Sequence, residues 1–170
     1  PQYSCSGLPS GGSPDSYNEI EAGIQWIGNL SEYCINEETV VIVGHSAGDH
    51  LALLADIEFP NSDAVAGLGE ITDIVTYAAG TNDCETATLL LRVSAFALAK
   101  ELYQKADPVG LNLHSRSQLF HGTVDSIVNV SQSILANATT SGLTEAGDFD
   151  WVNSGMEAFQ LLTGSLEKLF

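Results

Sequence analysis

Thr39-Val40-Val41-Ile42-Val43-Gly44-His45-Ser46-Ala47-Gly48-Asp49-His50-Leu51-Ala52-Leu53-Leu54-Ala55 contains two kinds of pattern joined by a turn. Residues 39–43 are a continuous β-branched run, as a strand covered on both faces requires. Leu51, Leu53, Leu54 and Ile57 then mark an apolar helix ending near Pro60. Between them Gly44-His45-Ser46-Ala47-Gly48 fits G-x-S-x-G, a serine carried on a sharp strand-to-helix turn. Such a turn strains the serine backbone. It also leaves no room for side chains two positions to either side, which is why glycines stand there. The N-terminus of the following helix would point its dipole, and the Ala47 N–H, at an oxyanion formed on attack by Ser46. A glycine-rich turn that merely contains a serine is the plain alternative.

Working outward, the same alternation continues. Ser16 and Glu19 have the spacing of a capping box, which predicts a helix starting at Tyr17. Ile20, Ile24, Ile27 and Leu30 would form its apolar face. Residues 1–15 read as loop, with Gly7, Pro9, Gly11, Gly12 and Pro14 as punctuation. Ala64–Leu68 reads as a second strand, residues 83–105 as helix in two pieces, and Gln118–His121 as a third strand ended by Gly122. Val130–Thr140 reads as helix, and Met156–Leu169 as a closing helix with Phe159, Leu162, Leu166 and Leu169 on one face. Strands alternating with helices predict an α/β fold, a mostly parallel sheet between helical layers in a three-layer α/β/α arrangement.

Charge narrows the function. The 170 residues carry Asp+Glu 22 against Lys+Arg 5, a net charge of −17, with 44% hydrophobic residues. Residues 1–91 hold 14 acids and no Lys or Arg. Nucleic acids and anionic lipids are bound through Lys and Arg, so neither is expected as a partner. No apolar run approaches the roughly 18 residues of a membrane helix. Cys5, Cys34 and Cys84 show no metal spacing, and no metal or other cofactor is expected. A helix of about 20 Å between Cys5 and Cys34 argues against a bridge joining them. Three sequons, at Asn29, Asn129 and Asn137, lean toward secretion.

The segment 44–55 resembles the nucleophile segment of α/β-hydrolases of the esterase and lipase group, nearest acyl esterases and kynurenine formamidases. Leu119-Phe120-His121-Gly122-Thr123-Val124-Asp125-Ser126-Ile127-Val128 resembles the strand and loop that deliver the triad aspartate, which maps onto Asp125. Gly11-Gly12-Ser13-Pro14, Ile71-Thr72-Asp73 and Asp107-Pro108-Val109 also fall where such proteins carry similar residues, so the resemblance spans nearly the whole chain. It implies a serine hydrolase acting on carboxylic esters, or amides, of small molecules: Ser46 as nucleophile, Ala47 N–H as oxyanion donor, Asp125 orienting a histidine. Without the resemblance, Asp125 also reads as an Asx-turn residue.

Four departures qualify the expectation. The family order is Ser, then Asp or Glu, then His, yet His45, His50, His114 and His121 all precede Asp125. In Ala146-Gly147-Asp148-Phe149-Asp150 the histidine's place is taken by Asp148, a poor proton acceptor at neutral pH. Asp148 and Asp150 read as solvated loop carboxylates, and His45 and His50 as packing residues. His121 reads as a loop-fixing residue rather than a substitute base. Second, only Leu143-Thr144-Glu145-Ala146 separate Gly142 from Gly147, too few for a further buried strand and its connections, so the sheet is expected to have three strands and to lack the last. Third, no His-Gly-Gly type loop supplies a second oxyanion donor, and 1–170 reads as a single hydrolase-like domain, the C-terminal part of a larger one. Fourth, Asp49 stands where the family often has glycine, and would oppose an oxyanion if it faced the pocket. These departures predict weak or absent turnover. The alternative is a non-catalytic protein of the same fold that binds a ligand or partner.

Overall fold

The computed structural model describes residues 3–4, 12, 14–27, 29–30, 33, 39–58, 63–68, 100–108, 111, 116–133, 139–143 and 145–169. The chain divides into two compact units, residues 1–38 with 73–110, and residues 39–72 with 111–170.

In the first unit the main element is α1 (Asp15–Ile27), with a short helix α3 (Lys100–Lys105). The capping box is not formed, because α1 begins two residues before Tyr17. Ser16 lies inside the helix and is buried; its Oγ accepts from Gly12 N–H (2.9 Å) and donates to Ser4 O (2.8 Å). The Glu19 carboxylate takes Ser4 N–H (2.6 Å) and Ser4 Oγ–H (2.9 Å). Both polar residues thus anchor the segment ahead of the helix instead of capping each other. Helix α1 ends at Ile27, a turn earlier than the apolar spacing to Leu30 predicts; Leu30 N–H instead bonds Ile27 O in a turn.

The second unit is a sheet with strands β1 (Val41–His45), β2 (Ala64–Leu68), β3 (Arg116–Gly122) and β4 (Thr139–Leu143), all parallel, in the order β1-β2-β3-β4. Helix α2 (Ala47–Glu58) follows β1, and α4 (Glu157–Leu166) closes the unit. Strand periodicity decides what each face buries. Val65 and Leu119 point to one side, where they pack with Ala52 and Leu53 of α2 and with Ile42. Their neighbours Ala66 and Phe120 point to the other side, onto Ala146, Trp151, Ala158 and Leu162. Helix lies on both faces of a parallel sheet, so the fold is α/β in three layers, as the alternation of elements implies.

Two expectations fail here. The first is that Val130–Thr140 is helical: only a 3₁₀ turn forms at Val130–Ser133, and the chain is already strand at Thr139. The second is the missing last strand. β4 is present and pairs with β3 from Gln118↔Thr139 to Gly122↔Leu143, giving four strands among the described residues, not three. Its sequence Thr-Thr-Ser-Gly-Leu has no apolar alternation, because it borders the sheet: Thr139, Thr140 and Gly142 are exposed. A border strand needs β-branched residues to extend, not apolar ones to bury. Among the described residues strand β1 borders the other side, and Val43 is 47% exposed, so this strand is not buried on both faces as its β-branched run implies.

The readings at Cys5, Cys34, Cys84, His114, residues 83–99 and Ile71-Thr72-Asp73 lie outside the described residues. Among the described residues no helix is long and apolar enough to cross a membrane.

Candidate active site

The turn from β1 into α2 has the geometry that G-x-S-x-G requires. Ser46 sits at φ 52°, in the left-handed region that a non-glycine residue occupies only under constraint. Asp49 N–H (3.0 Å) and His50 N–H (3.3 Å) both donate to Ser46 O, starting the helix directly after it. A Cβ on Gly44 would collide with the Gly48 backbone, so the strand and the helix start touch through glycine. Ala47 is the first residue of α2, with its N–H at the helix N-terminus.

Asp49 does not add its charge at the surface of this turn. It is fully buried, and its carboxyl fills the space over Gly67 of β2 that a side chain there would occupy. Aspartate at 49 and glycine at 67 are complementary in volume, a match across 18 residues of sequence that local reading misses.

The other two candidate positions lie at the ends of β3 and β4. Asp125 does what an Asx turn requires: Oδ1 accepts Ile127 N–H (2.8 Å) and Val128 N–H (2.9 Å). His121, fully buried at the end of β3, locks the same loop. Its Nε2–H donates to Val128 O (3.0 Å), which makes Nδ1 the acceptor of the Ser133 hydroxyl (2.6 Å). Nε2 also lies 3.3 Å from Asp125 Oδ2. The histidine thus fixes the turn that carries Asp125, and its two anchors, Val128 O and Ser133, leave no trace in local sequence pattern.

Asp148 departs from its expected role as a solvated carboxylate. It starts a 3₁₀ turn, Asp148–Val152, and its side chain is only 3% exposed. His45 Nε2–H donates to Asp148 O (3.0 Å), with Nε2 3.2 Å from Asp148 Oδ1. The His45 ring also packs on Phe149, centroids 5.3 Å apart. Asp148 is therefore held against the residue that immediately precedes Ser46. Burial pushes the Asp148 carboxyl above the usual carboxylate range; His45 pulls it down, Asp125 pushes it up and His121 pulls it down again. Asp150 is no solvated carboxylate either, since Oδ2 accepts Gly147 N–H (2.8 Å) and tightens the turn.

The loops after β3 and β4 are stitched together. Val124 N–H donates to Ala146 O (3.1 Å), and Glu145 N–H to Thr123 Oγ1 (3.0 Å). Gly122 has no side chain to block Ala146 O. Asp148 touches the Ser46 turn through His45. No described residue donates a hydrogen bond to Ser46 Oγ or accepts one from it. Among the described residues no group of three His, Cys, Asp or Glu side chains is arranged to hold a metal ion.

Comparison with known proteins bears on the fold. No curated protein matches the sequence significantly. The fold is similar to a truncated form of a carbohydrate esterase from gut microbiota (TM-score 0.77, 17% identity, 93% of this chain and 69% of that one). It is also similar to the Pyrococcus horikoshii acylaminoacyl peptidase (0.75, 16%, 91% of this chain and 27% of that one). A third similar structure is the esterase domain of a Rhodothermus marinus protein (0.58, 18%, 92% of this chain and 70% of that one). The chain thus spans about a quarter of the peptidase and about two thirds of each esterase. The BD-FAE family model matches residues 10–139. The chain belongs to the BD-FAE family, an α/β-hydrolase-type esterase domain.

Proposed function

We propose that the site is that of a serine hydrolase of the α/β-hydrolase type, built for carboxylic esters of small molecules, in which Ser46 is the nucleophile and turnover is weak. The observation that carries this reading is the strained turn at Ser46, with φ 52° held between Gly44 and Gly48. Strain of this kind costs about 1–3 kcal/mol and is retained where it serves a site. In the attack, Ser46 Oγ would bond to the acyl carbon and the Ala47 N–H would hold the oxyanion at the start of α2. Asp125 would orient the group at position 148.

Position 148 is also the reason for slow turnover. A triad needs there a base that takes the serine proton and passes it to the leaving group. A buried carboxyl at 148 cannot donate to Asp125 as an imidazole N–H does unless it is itself protonated, and it accepts a serine proton inefficiently. In another serine hydrolase, loss of the histidine costs about 10⁶ in turnover, roughly 8 kcal/mol of barrier. Small amide substrates share the acyl chemistry but have the poorer leaving group, so esters are the class to test first.

A second reading, a binding protein that keeps the fold without the reaction, is favoured by one observation: no described residue engages Ser46 Oγ. The experiment that separates the two is hydrolysis of a p-nitrophenyl acyl ester by the wild-type chain and by Ser46→Ala. Slow hydrolysis that disappears in Ser46→Ala supports the hydrolase. Hydrolysis equal in both proteins, or none in either, supports the binder.

A further inference from the structure

Four large apolar side chains stand in solvent on the loops that carry the candidate site. Val124 and Ile127 lie on either side of Asp125 in the loop after β3, and Phe149 and Val152 follow Asp148 in the turn after β4. All four are exposed, Phe149 at 62%. A single exposed apolar residue is ordinary; several in one place mark a contact surface. These share a place because the sheet is parallel. The turn after β1 and the loops after β3 and β4 all leave it at the carboxyl end of the strands, where open α/β sheets hold their ligands. The two loops are also bound to each other, by Val124 N–H to Ala146 O (3.1 Å) and Glu145 N–H to Thr123 Oγ1 (3.0 Å).

Phe149 is tied most directly to the nucleophile turn. Its ring packs on that of His45, with centroids 5.3 Å apart and planes tilted by 49°, and His45 immediately precedes Ser46. His45 is itself held by Asp148 O (3.0 Å). One side of the Phe149 ring thus has a fixed support, while most of it remains open to solvent.

Charge decides what such a surface accepts. Residues 39–68 and 117–167, which build these strand ends, contain no Lys or Arg, and Asp49, Asp125, Glu145, Asp148 and Asp150 stand on their turns and loops. The unit's own cations lie elsewhere. Arg116 opens β3 at the opposite end of the strand, about 20 Å away. Lys168 lies beyond the far end of α4, about 15 Å of helix from the turn after β4. An anionic group at Phe149 would meet carboxylates and no counter-charge from this unit.

We propose that Phe149 is a specificity-determining residue: with Val124 and Ile127 it forms the surface on which an uncharged apolar group of the substrate docks beside the Ser46 turn, and anionic groups are rejected there. That the substrate is an ester rests on the hydrolase reading above; the binding surface does not. The apolar group belongs to the acyl side or the alcohol side of the ester, which the kinetics separate.

The test is fluorescence titration of the full chain and of Phe149→Ser with N-phenyl-1-naphthylamine, an uncharged apolar fluorophore, and with 1-anilinonaphthalene-8-sulfonate, the same ring system carrying an anion. An exposed side chain can be exchanged without opening the core, and equal urea midpoints of the two proteins confirm it. Wild type should bind the uncharged fluorophore about tenfold more tightly than Phe149→Ser, the usual worth of one aromatic contact, and about tenfold more tightly than it binds the sulfonate. Equal affinity of the two proteins for the uncharged fluorophore, no binding of it by wild type, or equal affinity of wild type for both fluorophores would overturn the proposal. In kinetics, Phe149→Ser should lower about tenfold either the kcat/KM ratio of p-nitrophenyl hexanoate to acetate, placing the group on the acyl side, or that of hexyl to methyl acetate, placing it on the alcohol side. Hydrolysis with both ratios unchanged counts against the proposal. Binding as expected with no ester cleaved sinks the hydrolase reading and leaves the surface standing.

Discussion

The two ends of the candidate site differ in what has been kept. At the Ser46 turn, backbone and chemistry agree: glycines at 44 and 48, a strained serine between them and a helix N-terminus behind it. At the ends of β3 and β4 the backbone is just as well built, with Asx turn, locked histidine, stitched loops and buried Trp151, yet the side chain at 148 is a carboxyl. Architecture that positions a group and the chemistry of that group are therefore separable. A loop can hold residue 148 buried against His45 whether or not that residue can take a proton.

The largest effect expected from breaking this contrast is catalytic. Asp148→His should raise kcat/KM for a p-nitrophenyl ester by about 10²–10⁴, the usual worth of general acid–base catalysis. The gain should vanish in the Ser46→Ala background. The next effect concerns the scaffold of the altered end. Trp151 is fully buried, packed on Phe120 with ring centroids 5.6 Å apart. Trp151→Ala should cost about 3–5 kcal/mol in urea unfolding. Smaller penalties test the close backbone approaches at each end. Gly44→Ala, against Gly48, and Gly122→Ala, against Ala146 O, should each cost about 1–3 kcal/mol. If Gly44→Ala were neutral, the Ser46 turn would not be the tight junction described. Least in size is Asp125→Ala, which removes the acceptor of two backbone N–H groups and also relieves Asp148. Its net cost should be about 1–2 kcal/mol in urea unfolding.

The sequence is informative where a pattern and a burial requirement coincide. The β-branched run before Gly44 and the leucines after Gly48 mark β1 and α2 because each must cover apolar surface. β4 escapes the same reading because Thr139-Thr140-Ser141-Gly142 lies at the border of the sheet and buries little. The Ser16/Glu19 pair misleads because both side chains have a better partner in Ser4, 12 and 15 residues away. Ser46 and Asp125 are legible as motif residues. The burial of Asp148 is not, since it depends on His45, 103 residues earlier, and on the loop after β3. Asp49 needs Gly67, which no local window contains.

The most direct measurement of the central claim, an intact nucleophile turn served by the wrong group at 148, is the rate of Ser46 labelling by a fluorophosphonate, which requires an activated serine. Wild type should label at least about a hundredfold more slowly than Asp148→His, and Ser46→Ala not at all. Equal, rapid labelling of wild type and Asp148→His would contradict the account.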